Sequence, residues 1–243
     1  MTPIDELLTA AEAGDAARVR ALLVAALELV DATGPYGKTA LHLAAEKDHV
    51  EVARVLLAHG ARLDLETTWE MTPLEWAANL GSQRVADLLL AEGAVLDLWS
   101  AAGLGRLADV QAFWDAAGRL SPAAFKRRYR REPDGSWAAD TEDQDESELV
   151  AQSFAIACRN GHTAVARLLR EHGAELDVRA FWGGTPLHWA AANGHLETVR
   201  YLLASGARTD LRDEKHHDTA EGWARHLGHH AVADLIAAHL PAA

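Results

Sequence analysis

The sequence predicts an all-α repeat solenoid: stacked helix pairs joined by short β-turn or hairpin tips, with one irregular insertion. Three observations carry this. Thr39-Ala40-Leu41-His42-Leu43-Ala44-Ala45 and Thr72-Pro73-Leu74-Glu75-Trp76-Ala77-Ala78 start 33 residues apart. Gly60-Ala61 and Gly93-Ala94 keep the same offset of 33, as do Gly173-Ala174 and Gly206-Ala207. Asn160-Gly161-His162 and Asn193-Gly194-His195 keep it too. Self-similarity at such a period marks units that bury their apolar faces on one another.

The elements follow in order. Residues 1–32 form an N-terminal helical cap, with Ile4, Leu7, Leu8 and Ala11 at helical spacing and a restart at Val19, Leu22 and Leu23 after Gly14-Asp15. Residues 33–65 make the first complete repeat. Gly34-Pro35-Tyr36-Gly37 is its turn, Thr39 its helix N-cap, and Gly60 suits a left-handed C-terminal position. Residues 66–97 repeat the plan, now with Pro73 at the first helical position, where its missing N–H costs nothing. Residues 98–120 are a truncated repeat: the helix begins almost at once after Gly93-Ala94, so the turn segment is missing and the row of tips should be interrupted. Residues 121–147 are a charged insertion. It opens with Ser121-Pro122, a helix-start signal, and Phe125 and Tyr129 would then share a face among Lys126, Arg127, Arg128, Arg130 and Arg131. Pro133-Asp134-Gly135 predicts a turn, followed by Trp137 and an acidic run. Residues 148–178 are a degenerate repeat, 179–211 the clearest repeat, and 212–243 a C-terminal capping repeat.

The words Thr-Pro/Ala-Leu-His, Gly-His and Gly-Ala, recurring in order at one period, resemble the ankyrin repeat. The resemblance covers the chain except 121–147. It implies a β-turn plus an antiparallel helix pair per unit, and binding through the turn tips and the exposed side of the first helix. Carried over position by position, the tip residues are Tyr36, Lys38, Trp69, Met71, Phe181, Trp182 and His216, and the first-helix residues include Glu46, Asn79 and Asn193. The resemblance also accounts for His42 and His188, which hydrogen-bond neighbouring turns in that family.

The formal charge of −13 argues against nucleic acid and an anionic membrane surface as partners. The single cysteine, Cys158, asks for no oxidising compartment, and the N-terminus shows no basic region followed by an apolar run. No apolar stretch suggests a membrane span. A cytoplasmic protein is expected, and the Ala- and Arg-rich composition is that of a GC-rich bacterial genome. No Gly-rich phosphate loop, Cys–His metal spacing or nucleophile elbow is present, so no catalytic residue, metal or cofactor is assigned. His226 and His230 have a metal-compatible spacing, but Gly228 falls between them where the family turns.

The aromatics at the tips carry the functional expectation. Tyr36, Trp69 and Trp182 occupy one repeat position, with Phe181 beside the last, and large aromatics concentrate binding energy. Trp76, Trp189 and Trp223 form a second matched row on the first helices and are expected in the core. Glu75 replaces the signature histidine and is expected to be a solvated substitution. The leading reading is a module that binds a protein or peptide on its concave, turn-tip face. The alternative is a small-molecule or catalytic pocket near Glu75, Trp99 and Trp137, where a truncated repeat meets an insertion.

Overall fold

Side-chain caps that satisfy orphan N–H groups open α1, α2 and the first helix of most repeats. Thr2, Asp15, Thr39, Thr72, Asp97, Asp145 and Thr219 each accept a main-chain N–H from the first turn that follows. The computed structural model describes residues 2–125, 145–180 and 183–239 in full, and the backbone of 128–131 and 137–140. Within these the chain is all-helical apart from one small hairpin. It divides into two compact units, Met1–Leu96 and Asp97–Ala243.

The first unit holds α1 (Pro3–Ala13), α2 (Ala16–Ala25), α3 (Ala40–Glu46), α4 (Val50–Ala58), α5 (Pro73–Leu80) and α6 (Gln83–Ala91). Helices α1, α3 and α5 pack side by side as one row, and α2, α4 and α6 as a second row. Leu7, Leu41 and Leu74 are buried along the first row, and Val52, Leu56, Val85 and Leu89 along the second.

The second unit holds α7 (Leu98–Gly103), α8 (Leu107–Ala112), α9 (Glu146–Arg159), α10 (Thr163–Glu171), α11 (Pro186–Ala192), α12 (Leu196–Ala204), α13 (Ala220–His226) and α14 (His230–Ala237). Here α7, α9, α11 and α13 make one row and α8, α10, α12 and α14 the other. The insertion leaves this stack intact. Asn160 Nδ2 and His162 Nε2 both donate to the Gly103 carbonyl, at 2.8 and 3.0 Å, so α9 docks on α7 as a next repeat would.

The insertion itself departs from expectation. Ser121-Pro122 begins only a 3-10 turn, Pro122–Ala124, and Phe125 leaves it in extended conformation. Strand β1 (Arg128–Arg131) then pairs antiparallel with β2 (Trp137–Asp140), Arg128 opposite Asp140. The expected basic helix does not form. A short helix without a packing partner is marginal, and like charges one turn apart disfavour it further. The turn expected at Pro133-Asp134-Gly135 lies outside the described residues.

The Gly-His words are an interlock between repeats. His49 packs on Gly14, His162 on Gly105, His195 on Gly161 and His229 on Gly194. His49 Nε2 also hydrogen-bonds the Glu12 carbonyl at 3.1 Å. Each of these glycines has positive φ, and a Cβ on Gly161 would fall 2.6 Å from the His195 ring. Gly206, with φ +92°, has nothing within 4 Å of that position. Both Gly161→Ala and Gly206→Ala strain the backbone by roughly 1 kcal/mol, and Gly161→Ala also displaces the ring. Chemical denaturation should therefore show Gly161→Ala more destabilised than Gly206→Ala by about 1 kcal/mol or more.

Candidate functional site

The first two turns are built on one plan. Gly34 N donates to Lys38 O at 2.8 Å, and Thr67 N to Met71 O at 3.0 Å, closing tips one repeat apart. Thr68 N donates to Tyr36 O at 2.9 Å and ties the tips together. Tyr36 lies in the left-handed region, φ 60°, as does Glu70, φ 56°. Such a conformation costs a tyrosine about 1 kcal/mol or more, which the surrounding hydrogen bonds must offset.

These tips bring three aromatic rings into a ladder. Tyr36 stacks on Trp69 with centroids 5.0 Å apart, and Trp69 on Trp76 at 5.5 Å. Tyr36 and Trp69 remain 63% and 50% exposed. Lys38 Nζ sits 4.5 Å from the Trp76 ring centroid. Glu46 holds the inner end: its carboxylate pairs with Lys38 at 2.7 Å and Lys47 at 3.2 Å, and accepts from Trp76 Nε1 at 3.3 Å. Burial pushes the Glu46 carboxyl up, but the bonds from Lys38 and Lys47 outweigh it and hold the group below its ordinary range.

Trp76 corrects an expectation. It is half-buried, not core, and so is Trp223, whereas Trp189 is buried. A residue two places beyond Leu74 lies about 200° round the helix from it, on the face that carries Asn79 and Leu80. The spacing of Trp76 to these residues was the signal in the sequence. Glu75 is also not a solvated substitution. It is buried and completes the capping box: Thr72 N donates to its carboxylate at 2.7 Å.

The other predicted residues have definite places. Met71 serves through its carbonyl, which accepts from His42 Nε2 at 3.0 Å. Asn79 is half-buried on α5. Asn193 caps α11, its Nδ2 donating to the Trp189 carbonyl at 2.9 Å. His216 is exposed on the last turn, its ring edge-on to Trp223 at 6.2 Å. Phe181 and Trp182 lie outside the described residues, as does the side chain of Trp137. Trp99, also named for a pocket, is half-buried on α7. Among the described residues no group of three or more His, Cys, Asp or Glu could hold a metal ion.

Sequence reasoning missed Asp213. This buried carboxylate organises the last turn, accepting main-chain N–H groups from Lys215, His216 and Asp218 and the Trp223 indole N–H, at 2.6–3.0 Å. Burial pushes its carboxyl up, but these donors prevail and bring it to about 2. Trp223 meets Trp189 edge-on at 5.2 Å.

A family model for ankyrin repeats matches residues 7–98 and 140–239, most of the chain. The chain belongs to the ankyrin-repeat family. Curated relatives of this ankyrin-repeat chain share only short stretches with it. An ADP-ribosylation factor GTPase-activating protein, AGD4, of Arabidopsis thaliana is 36% identical over 59 residues, covering 24% of this chain and 8% of that protein. An L-asparaginase of Dirofilaria immitis is 38% identical over 66 residues, covering 27% and 11%. The human ankyrin repeat and KH domain-containing protein 1 is 42% identical over 69 residues, covering 28% and 2%. The chain thus spans about a tenth or less of these relatives. The human ASB11 ankyrin repeat domain aligns over 98% of both chains with a TM-score of 0.48 and 22% identity.

The signature histidines of this ankyrin array are neutral by construction. His42 is fully buried; its Nε2–H donates to Met71 O, and its Nδ1 accepts from Thr39 N at 3.2 Å. Burial lowers its pKa to about 4, against the opposing pull of the Met71 bond. His162, His188 and His195 are lowered by burial as well. An unfolded histidine protonates near 6.5. Stability should therefore fall as pH drops below about 6.5, the His42 share being lost progressively down to about pH 4 and amounting to about 3 kcal/mol. Urea midpoints from pH 7 to 4 should show a steep fall for the native chain and a shallower one for His42→Gln.

Proposed function

We propose that this chain is a protein- or peptide-binding ankyrin array and that its contact surface in the first unit is the tip ladder of Tyr36 and Trp69, backed by Trp76. Ankyrin repeats generally serve as protein–protein interaction modules, and the activities named for the relatives differ from one another. One observation carries the reading. Two large aromatics, 63% and 50% exposed, are held in stacked register at the ends of successive turns. Leaving such rings in water is costly, while a pre-ordered ring loses little entropy on binding. Lys38, Glu46, Met71 and Asn79 are proposed as further members of this surface, and Phe181, Trp182, Asn193 and His216 as its counterparts in the second unit. No comparable observation favours the small-molecule reading.

The proposed setting is cytoplasmic. Among the described residues no helix is long and apolar enough to cross a membrane. The one cysteine is buried, and burial pushes its thiol pKa up, as for an inert core group.

Selection of a displayed random-peptide library on the intact chain tests the reading. Selected peptides should lose about 2 kcal/mol or more, roughly 30-fold in affinity, against a Tyr36→Ala/Trp69→Ala double variant. Because both side chains are exposed, its melting temperature should stay close to that of the unaltered chain. Peptides that bind the double variant as tightly as the original chain would falsify the assignment.

A further inference from the structure

We propose that the Tyr36–Trp69 face takes an arginine side chain from a basic segment of the partner protein. The inference rests on the reading of this face as the peptide-binding surface, and names the chemistry of its occupant.

Charge is the first argument. Residues 1–96 carry fifteen Asp and Glu against seven Lys and Arg, a formal excess of eight negative charges. Six of those seven cations already pair within the unit: Arg18 with Glu6, Lys38 and Lys47 with Glu46, Arg54 with Glu51, Arg62 with Asp64, and Arg84 with Asp48. The net charge of the unit is therefore set by its carboxylates, and the second turn is locally acidic. The turn from Asp64 to Met71 holds Asp64, Glu66 and Glu70 and no Lys or Arg. Glu66 and Glu70 are exposed on either side of Trp69 in sequence. Such a rim repels phosphate and acidic peptides and draws a basic segment in.

Ring chemistry is the second argument. The face of an indole or phenol is electron-rich and attracts a cation. The ladder already does this at its inner end, where the Lys38 ammonium lies over Trp76. Its outer rings offer the same surface to solvent. Arginine fits better than lysine there, because a planar guanidinium stacks on a ring while its N–H groups reach flanking carboxylates. The left-handed backbone of Tyr36 and the Thr68 N to Tyr36 O bond hold the outer ring in place before any ligand arrives.

The probes are a short Gly/Ser peptide with spaced arginines, its citrulline counterpart, which keeps the shape without the charge, and an arginine-free proline-rich peptide. Each is titrated into the intact chain at low salt and followed by tryptophan emission and calorimetry. The arginine peptide is expected to bind, and citrulline to weaken it about tenfold. Trp69→Ala should weaken it about tenfold, and Trp69→Phe, which keeps a ring, much less. A Glu66→Gln/Glu70→Gln variant should weaken it roughly threefold and flatten its salt dependence. Equal binding of the citrulline peptide, tighter binding of the proline-rich peptide, or indifference to Trp69→Ala overturns the proposal. The library selection separates two kinds of failure. Selected peptides that depend on Tyr36 and Trp69 but lack arginine remove only the arginine assignment. Peptides that bind without either ring remove the binding surface as well.

Discussion

The buried, neutral His42 fixes where the second turn tip sits, and the exposed aromatic surface follows from it. Its Nε2–H donates to the Met71 carbonyl, the residue that closes the second turn. That bond needs a donor nitrogen on one side of the ring and an acceptor on the other, which a neutral imidazole supplies and a carboxylate cannot. Substitution along the array follows the same logic. His188 makes the equivalent bond to Asp218 O, in the turn of the last repeat. Glu75 stands at that position in α5 and completes the capping box with Thr72 instead. Ala155, in the degenerate repeat, is the exception. The histidine thus marks a junction between a helix and the next tip, not a chemical centre.

The ladder depends on this junction in a specific way. Tyr36 and Trp69 sit at one repeat position, so a shift of the second tip relative to the first would separate them. His42 holds that tip from beneath, and Thr68 N to Tyr36 O holds it from the side. Glu46 then couples the ladder to α3, since one carboxylate serves Lys38, Lys47 and the Trp76 indole. The exposed rings are therefore the outer members of a network whose inner members are buried or half-buried. A rigid, partly buried base under an exposed aromatic is what separates a pre-ordered contact surface from an incidental hydrophobic patch.

Much of this was legible in the sequence, and the exceptions have physical causes. The period placed Tyr36 and Trp69 on adjacent tips because stacking repeats superimposes equivalent positions. Helix starts were legible because Thr, Asp and Pro act through local geometry alone. Apolar character alone puts Trp76 in the core. Its angular position on α5, opposite Leu74 and beside Asn79 and Leu80, was the better guide. Asp213 was invisible for the opposite reason: nothing about a lone carboxylate in a turn announces that four donors will converge on it. The insertion departs from its cap signal because Ser121-Pro122 opens only one 3-10 turn before the backbone becomes extended at Phe125.

Four histidines are withheld from the electrostatics of the surface by their place between repeats. Thirteen histidines would make an acidic protein strongly pH-responsive if they were exposed and ordinary. Four of them, His42, His162, His188 and His195, are instead held below their usual pKa by burial between repeats. Each hydrogen-bonds through its ring to a main-chain carbonyl. Burial between repeats thus disfavours the charged form of these four rings, and protonating them works against the interfaces they bridge. In the first unit, the signature histidine beneath the aromatic tips, His42, is one of the four. A cation-seeking face is served by this arrangement: the junction beneath it is held by a neutral imidazole, so the joint adds no positive charge to oppose the carboxylates at the tip.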